Sequence, residues 1–168
     1  MKKVKVQKLS REAFHKFGSY SPLIDPFDEM AFGPKDAEIA FFPDLVQQDL
    51  NGAPASFSTC RVMPRPLRIT DVESHTRTSE TAIPLDGDVI VWFAPPSPDN
   101  TFPADKVEAF YVPQGYVVNC RPGVWHHAAF PVNKKPVNML IVLPERTYAN
   151  DAYCAALPAK EQIELVRK

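Results

Sequence analysis

Four side chains in two short stretches of this sequence can bind a metal or move a proton. Glu73-Ser74-His75 sets a carboxylate and an imidazole two positions apart. On a strand both would project from one face. Glu80 follows five residues after His75, across the polar turn Thr76 to Ser79. The other stretch, Arg121-Pro122-Gly123-Val124-Trp125-His126-His127, holds two of the four histidines side by side. Neighbours on an extended chain face opposite sides, so only one of them can enter a given interior. His126 is expected to point inward and meet Glu73, His75 and Glu80, with His127 on the other face. Two imidazoles and two carboxylates form a mixed nitrogen and oxygen set. Such a set suits Zn, Mn, Fe or Ni and leaves positions open for water or substrate.

Each of these residues also has an ordinary structural reading. A histidine on a strand is often buried and satisfied by a backbone carbonyl. A lone glutamate is usually solvated. Trp92 and Trp125 fit a core, and Cys60 and Cys120 fit small apolar packing positions. The spacing of Glu73, His75 and Glu80 favours a shared site over three separate surface roles.

The elements that must position these groups read mostly as strands. Val4 to Leu9 alternates apolar and polar residues. Ser10 offers an N-cap, Phe14 and Phe17 share a helical face, and Gly18 suits the residue after a helix, which predicts a helix over Arg11 to Phe17. From Ser19 to Pro54 prolines argue against long elements; Ile39 to Phe42 is a strand candidate and Leu45 to Leu50 a turn of helix. Strands are then expected at Ser56 to Met63, Ile69 to Glu73, Thr81 to Leu85 and Asp88 to Ala94. Asp86-Gly87 is a hairpin signal between the last two. Glu108 to Val112, Tyr116 to Cys120, Trp125 to Phe130 and Val137 to Leu143 follow. Pro158, Ile163 and Val166 predict a short C-terminal helix. About eight short strands at near-regular spacing indicate a sandwich or barrel.

Composition narrows the function classes. The 168 residues suit one domain spanning 1–168, and a net charge of −1 with no basic patch argues against nucleic acid and anionic membranes. Eighteen prolines are about twice ordinary usage. Eleven phenylalanines and long Val/Ile runs make these prolines punctuation between strands, not a mark of disorder. Three widely spaced cysteines suggest neither a disulfide framework nor a thiolate zinc site, as expected of a cytoplasmic protein. No signal-peptide pattern and no bilayer-length apolar run is visible.

Glu73-x-His75-x4-Glu80-x6-Gly87 resembles the first cupin motif, with Glu73 where the family usually has its first histidine. Gly115 followed by Pro122-Gly123-x2-His126 resembles the second. The resemblance implies an all-β, cupin-type jelly-roll β-barrel, here with short N- and C-terminal helices, and a divalent metal held by Glu73, His75, Glu80 and His126.

A narrower resemblance covers most of the chain. Leu9-Ser10-x-Glu12-Ala13-Phe14-x2-Phe17-Gly18, Arg61, the Glu73-x-His75 run with Pro84 and Gly87, and the Val124-Trp125-His126-His127 box are similar to the ureidoglycolate lyases of allantoin breakdown. Membership would imply a carbon–nitrogen lyase that gives glyoxylate and urea, and a homodimer. In that reaction His75 or His126 would act as base if no metal is bound. Arg61 would clamp the substrate carboxylate, because its fork matches two oxygens. Arg121 and Trp125 are further substrate-binding candidates. The cupin resemblance also admits two rivals: a metal-dependent isomerase or dioxygenase acting on a sugar acid, or a binding module without chemistry.

Overall fold

The computed structural model describes residues 1–27, 31, 34 and 37–167. Among the described residues thirteen strands and two short α-helices follow one another: β1 (Lys2–Lys8), α1 (Arg11–Phe14), β2 (Gly18–Pro22), β3 (Ala55–Val62), β4 (Arg68–Ile69), β5 (Asp71–Ser74), β6 (Glu80–Pro84), β7 (Val89–Phe93), β8 (Glu108–Val112), β9 (Tyr116–Cys120), β10 (Phe130–Pro131), β11 (Val137–Pro144), α2 (Thr147–Asn150), β12 (Tyr153–Ala156) and β13 (Ile163–Val166). One sheet has the order β10-β7-β8-β1-β13-β4, a second the order β2-β9-β6-β11-β3, and β12 pairs with β5. This is a cupin-type all-β fold.

The two larger sheets share an interior. Val89, Val91 and Phe93 of β7 and Phe110 and Val112 of β8 meet Val118 of β9 and Met139, Ile141 and Leu143 of β11 there. The intervening residues of β7 and β8 face the other way. Ile90, Trp92 and Ala109 join Val4, Trp125, Ile163 and Leu165 in a second apolar cluster. All five residues of β7 are therefore buried, in two different cores. Period-two alternation divides them.

Several sequence expectations change here. The Ser10 side chain caps α1 by accepting from the Ala13 amide at 3.2 Å, as the sequence suggested, but the helix stops at Phe14. Gly18 begins a strand instead of ending a helix; a Cβ on it would collide with the Asn119 carbonyl of β9, so close strand approach explains the glycine. Ile39 to Phe42 forms no strand, and Ile39 and Phe41 are exposed. Leu45 to Leu50 forms no helix; Gln48 donates to the Val142 carbonyl at 2.6 Å.

Asp86-Gly87 does not close a hairpin. β6 lies in one sheet and β7 in the other, so these residues carry the chain across. Gly87 packs against Val137, and the Asp86 carboxylate accepts from the Asn138 amide at 2.7 Å. The expected C-terminal helix is β13, parallel to β1 with Lys2 opposite Ile163. Ile163 and Leu165 are buried, which is period two; reading Ile163 with Val166 at helical spacing chose the wrong repeat.

Candidate metal and proton-transfer site

Glu73, His75, Glu80 and His126 come together. Glu73 lies in β5, flanked by Cys154 of β12 on one side and by His126 on the other. The Glu73 amide donates to the His126 carbonyl at 2.8 Å, and the His126 amide returns to the Glu73 carbonyl at 2.9 Å. This two-way bridge ties the two motif stretches together. His75 follows the end of β5, and Glu80 opens β6 after the short turn. Gly123 has φ 78°, a left-handed conformation that favours glycine, and its amide donates to the His75 carbonyl at 2.5 Å.

Hydrogen bonds set the imidazole orientations. His75 Nδ1 lies 2.6 Å from the Asp151 carbonyl oxygen, and His126 Nδ1 lies 2.9 Å from that of Val124. A carbonyl only accepts, so Nδ1 carries the hydrogen in both rings. Both Nε2 atoms are left facing inward, each 3.2 Å from Glu80 Oε2. Glu73 Oε1 lies 3.4 Å from His75 Nε2 and is buried without a hydrogen-bond donor. His75, His126 and Glu73 place their donor atoms within 4.8 Å of one another.

Two Nε2 lone pairs and two carboxylates thus converge on one small volume. Something positive must sit among them, either protons or a cation. The spacing suits donors held about 2 Å from a common ion, and carbonyl-anchored Nδ1 atoms are the usual support for histidine ligands. Glu73, His75 and His126 therefore fit a divalent metal, and Glu80 Oε2 lies beside them, 3.2 Å from both Nε2 atoms.

Protonation follows the same logic. Burial pushes the Glu80 carboxyl up, but His126 and His75 outweigh it and hold Glu80 down at about 2. Burial alone would lower His126; Cys120 and Glu80 reverse that and raise it well above its usual value. His75 is likewise raised, because its hydrogen bond to Glu80 counters burial. Burial lowers His127. Tyr148 of α2 stacks edge-on to the His75 ring at 6.3 Å, and burial together with Glu80 and Glu73 pushes its phenol to about 12.

Below the cluster lies a cavity of about 40 Å³ lined by Val91, Phe93, Val118, Met139 and Ile141 among others. Its apolar walls strengthen electrostatic interactions at the cluster. Cys60 and Cys120 also line it. His127 is half-buried and reaches the same cavity. The chain leaves regular pairing after His126, so the expected strict opposition of His126 and His127 does not hold.

The other candidates sit elsewhere. Arg61 is exposed on the face of β3 opposite Cys60, so strand alternation turns it away from the cavity that Cys60 lines. Arg121 is exposed, with its amide bonded to the Phe17 carbonyl. Trp125 is buried in the second apolar cluster, and its Nε1 donates to Ser97 at 2.9 Å; it forms core, not a substrate wall. Asp151 was not foreseen. Besides its carbonyl, its carboxylate accepts from the Thr76 amide and hydroxyl and the Arg77 amide, clasping the His75 loop. A backbone acceptor carries no residue-type signal, so the sequence could not reveal that role.

Barrel and site together define a cupin-type protein with a histidine and carboxylate centre. The family model described as Ureidoglycolate lyase matches residues 1–165. The chain belongs to the ureidoglycolate lyase family. Curated proteins named Ureidoglycolate lyase from Pseudomonas aeruginosa PAO1 and Pseudomonas paraeruginosa PA7 are each 28% identical over 139 residues, covering 80% of both chains. The solved dTDP sugar isomerase from Desulfovibrio desulfuricans G20 shares the fold, with TM-score 0.54, 12% identity and coverage of 85% of this chain and 86% of that one. Among the described residues no helix is long and apolar enough to cross a membrane.

Proposed function

We propose that this protein is a cytoplasmic, homodimeric carbon–nitrogen lyase that splits ureidoglycolate into glyoxylate and urea. Family membership and the names of the curated relatives support the reaction class. The observation that carries it is the pair of inward-facing Nε2 atoms sharing one carboxylate, with the partnerless Glu73 oxygen beside them.

The reaction moves one proton from the substrate hydroxyl to the leaving ureide nitrogen while the C–N bond breaks and a C=O bond forms. No net acid or base is consumed. A divalent ion held by Glu73, His75, Glu80 and His126 would supply Lewis acidity to the substrate oxygens. In the absence of an ion, the base is the neutral form of His75 or His126, which accepts the hydroxyl proton at Nε2; because both imidazoles are raised, and His126 the more, that form gains population as pH rises. Glu80 stabilises the imidazolium that results, and the Asp151 and Val124 carbonyls hold both rings in place. The same proton then passes to the departing nitrogen. The apolar cavity limits water around the charged cluster.

The test is direct. Purified protein, assayed with and without added divalent ions, should release urea and glyoxylate from ureidoglycolate in equal amounts. Absence of both products in every metal condition refutes the lyase reading.

A further inference from the structure

The carboxylate of the proposed substrate needs a cation, and Arg61 does not face the cavity. Arg65, in the loop between β3 and β4, lies in an adjoining recess. It lines this recess of about 160 Å³ with Arg68, Thr70, Asp71 and His127. His127 and Ala128 line both this recess and the central cavity, so the two spaces share a wall. The Arg65 charge also acts on the Cys60 thiol and on His127, both of which line the central cavity.

The Arg65 guanidinium is held in place but not electrically satisfied. It lies 4.0 Å over the Phe130 ring, and its Nη2 donates to the Ala128 carbonyl at 2.7 Å. Nη1 reaches the Met63 carbonyl only at 3.5 Å. A guanidinium has five N–H donors, so others remain free. Among the described residues, no carboxylate lies within ion-pair distance of Arg65. A planar cation fixed by stacking, with unpaired donors beside a recess, is suited to bidentate capture of a carboxylate.

We infer that Arg65 is the residue that binds the substrate carboxylate, with His127 as the neighbouring wall of that subsite. The inference rests on the lyase reading for the identity of the substrate, and on geometry alone for the anion. Asp71 also lines the recess, where its carboxylate accepts from the Thr70 hydroxyl at 2.6 Å. The carboxylate survives the reaction unchanged, so the same contact holds glyoxylate after urea has left.

The experiment compares wild-type protein with Arg65→Gln, Arg65→Lys and, as a control on the outer face, Arg61→Gln. Losing a charge-assisted contact should raise KM for ureidoglycolate about 10- to 100-fold in Arg65→Gln with a smaller change in kcat. Arg65→Lys should recover part of the loss, and Arg61→Gln should match wild type. Calorimetric affinity of the metal-free protein for glyoxylate should fall by a similar factor in Arg65→Gln. Thermal melts confirm that each variant is folded. KM and glyoxylate affinity both within twofold of wild type in folded Arg65→Gln would overturn the inference. If wild type releases no urea, the lyase reading fails by itself, and the glyoxylate measurement still decides whether Arg65 binds a carboxylate.

Discussion

Strand β7 borders two interiors of different character. One face, with Val89, Val91 and Phe93, looks into the barrel, where apolar walls surround four ionisable groups. The other face, with Ile90 and Trp92, looks into a core of aromatic and aliphatic side chains that includes Trp125, Phe130 and Ile163. The buried apolar side chains of the second core contribute through burial and packing. The first places charge among apolar walls, which is costly unless the charges neutralise one another or a bound ion. The histidine and carboxylate cluster is thus expected on one side of the sheet and mainly stability on the other, except where Ile69, Trp92 and Phe130 of the second core also wall the recess that holds Arg65.

Substitutions on the two sides should separate these roles. His126→Ala removes an imidazole from the cluster and should lower urea release by about 1000-fold or more per folded molecule, while Glu80 loses a charge partner and stability falls as well. It should also weaken divalent-ion binding, read by calorimetry on chelator-treated protein. Normal turnover in this variant would dissolve the contrast. Ile163→Ala, in the other core, should cost about 2–5 kcal/mol in denaturant unfolding. Turnover per folded molecule should stay near wild type; a specific loss of kcat would show that the two interiors are coupled.

The pH dependence of metal-free protein sharpens the comparison further. The Glu80 pKa in the folded protein is about 2, below its usual 4.5. Its stabilising contribution is therefore present above about pH 4.5 and is lost as pH falls toward 2. The lost amount is on the order of 3 kcal/mol. Urea unfolding across that window should show a steeper acid loss in wild type than in Glu80→Gln. Parallel curves would mean that Glu80 carries no special charge stabilisation. His127→Ala, at the cavity wall, should reduce activity less than about tenfold. A loss equal to that of His126→Ala would promote His127 to the reacting groups.

The sequence revealed the site more clearly than the connections. The Glu73, His75 and Glu80 spacing, with His126 distant, named four groups that the fold does bring together, because side-chain type and strand periodicity are both local. Arg61 faces outward under the same periodicity, because Cys60, its neighbour, takes the inward position. Arg65 was overlooked because it sits in a loop, where no period assigns a direction. Asp86-Gly87 carries a turn signal, yet a turn does not say which sheet the next strand joins. β12 pairs with residues 79 to 85 positions away and β13 with residues 161 positions away. Pairing over such separations is decided by tertiary packing, which short windows do not contain.

The clasp at Asp151 has a consequence for biosynthesis. The carbonyl that fixes the His75 ring belongs to a residue 76 positions further along the chain. A nascent polypeptide that has reached only the end of β11 already contains Glu73, His75, Glu80 and His126, but its His75 ring is still free to rotate and exchange tautomers. The cluster therefore gains its final donor geometry only after the segment through α2 has been made and has docked.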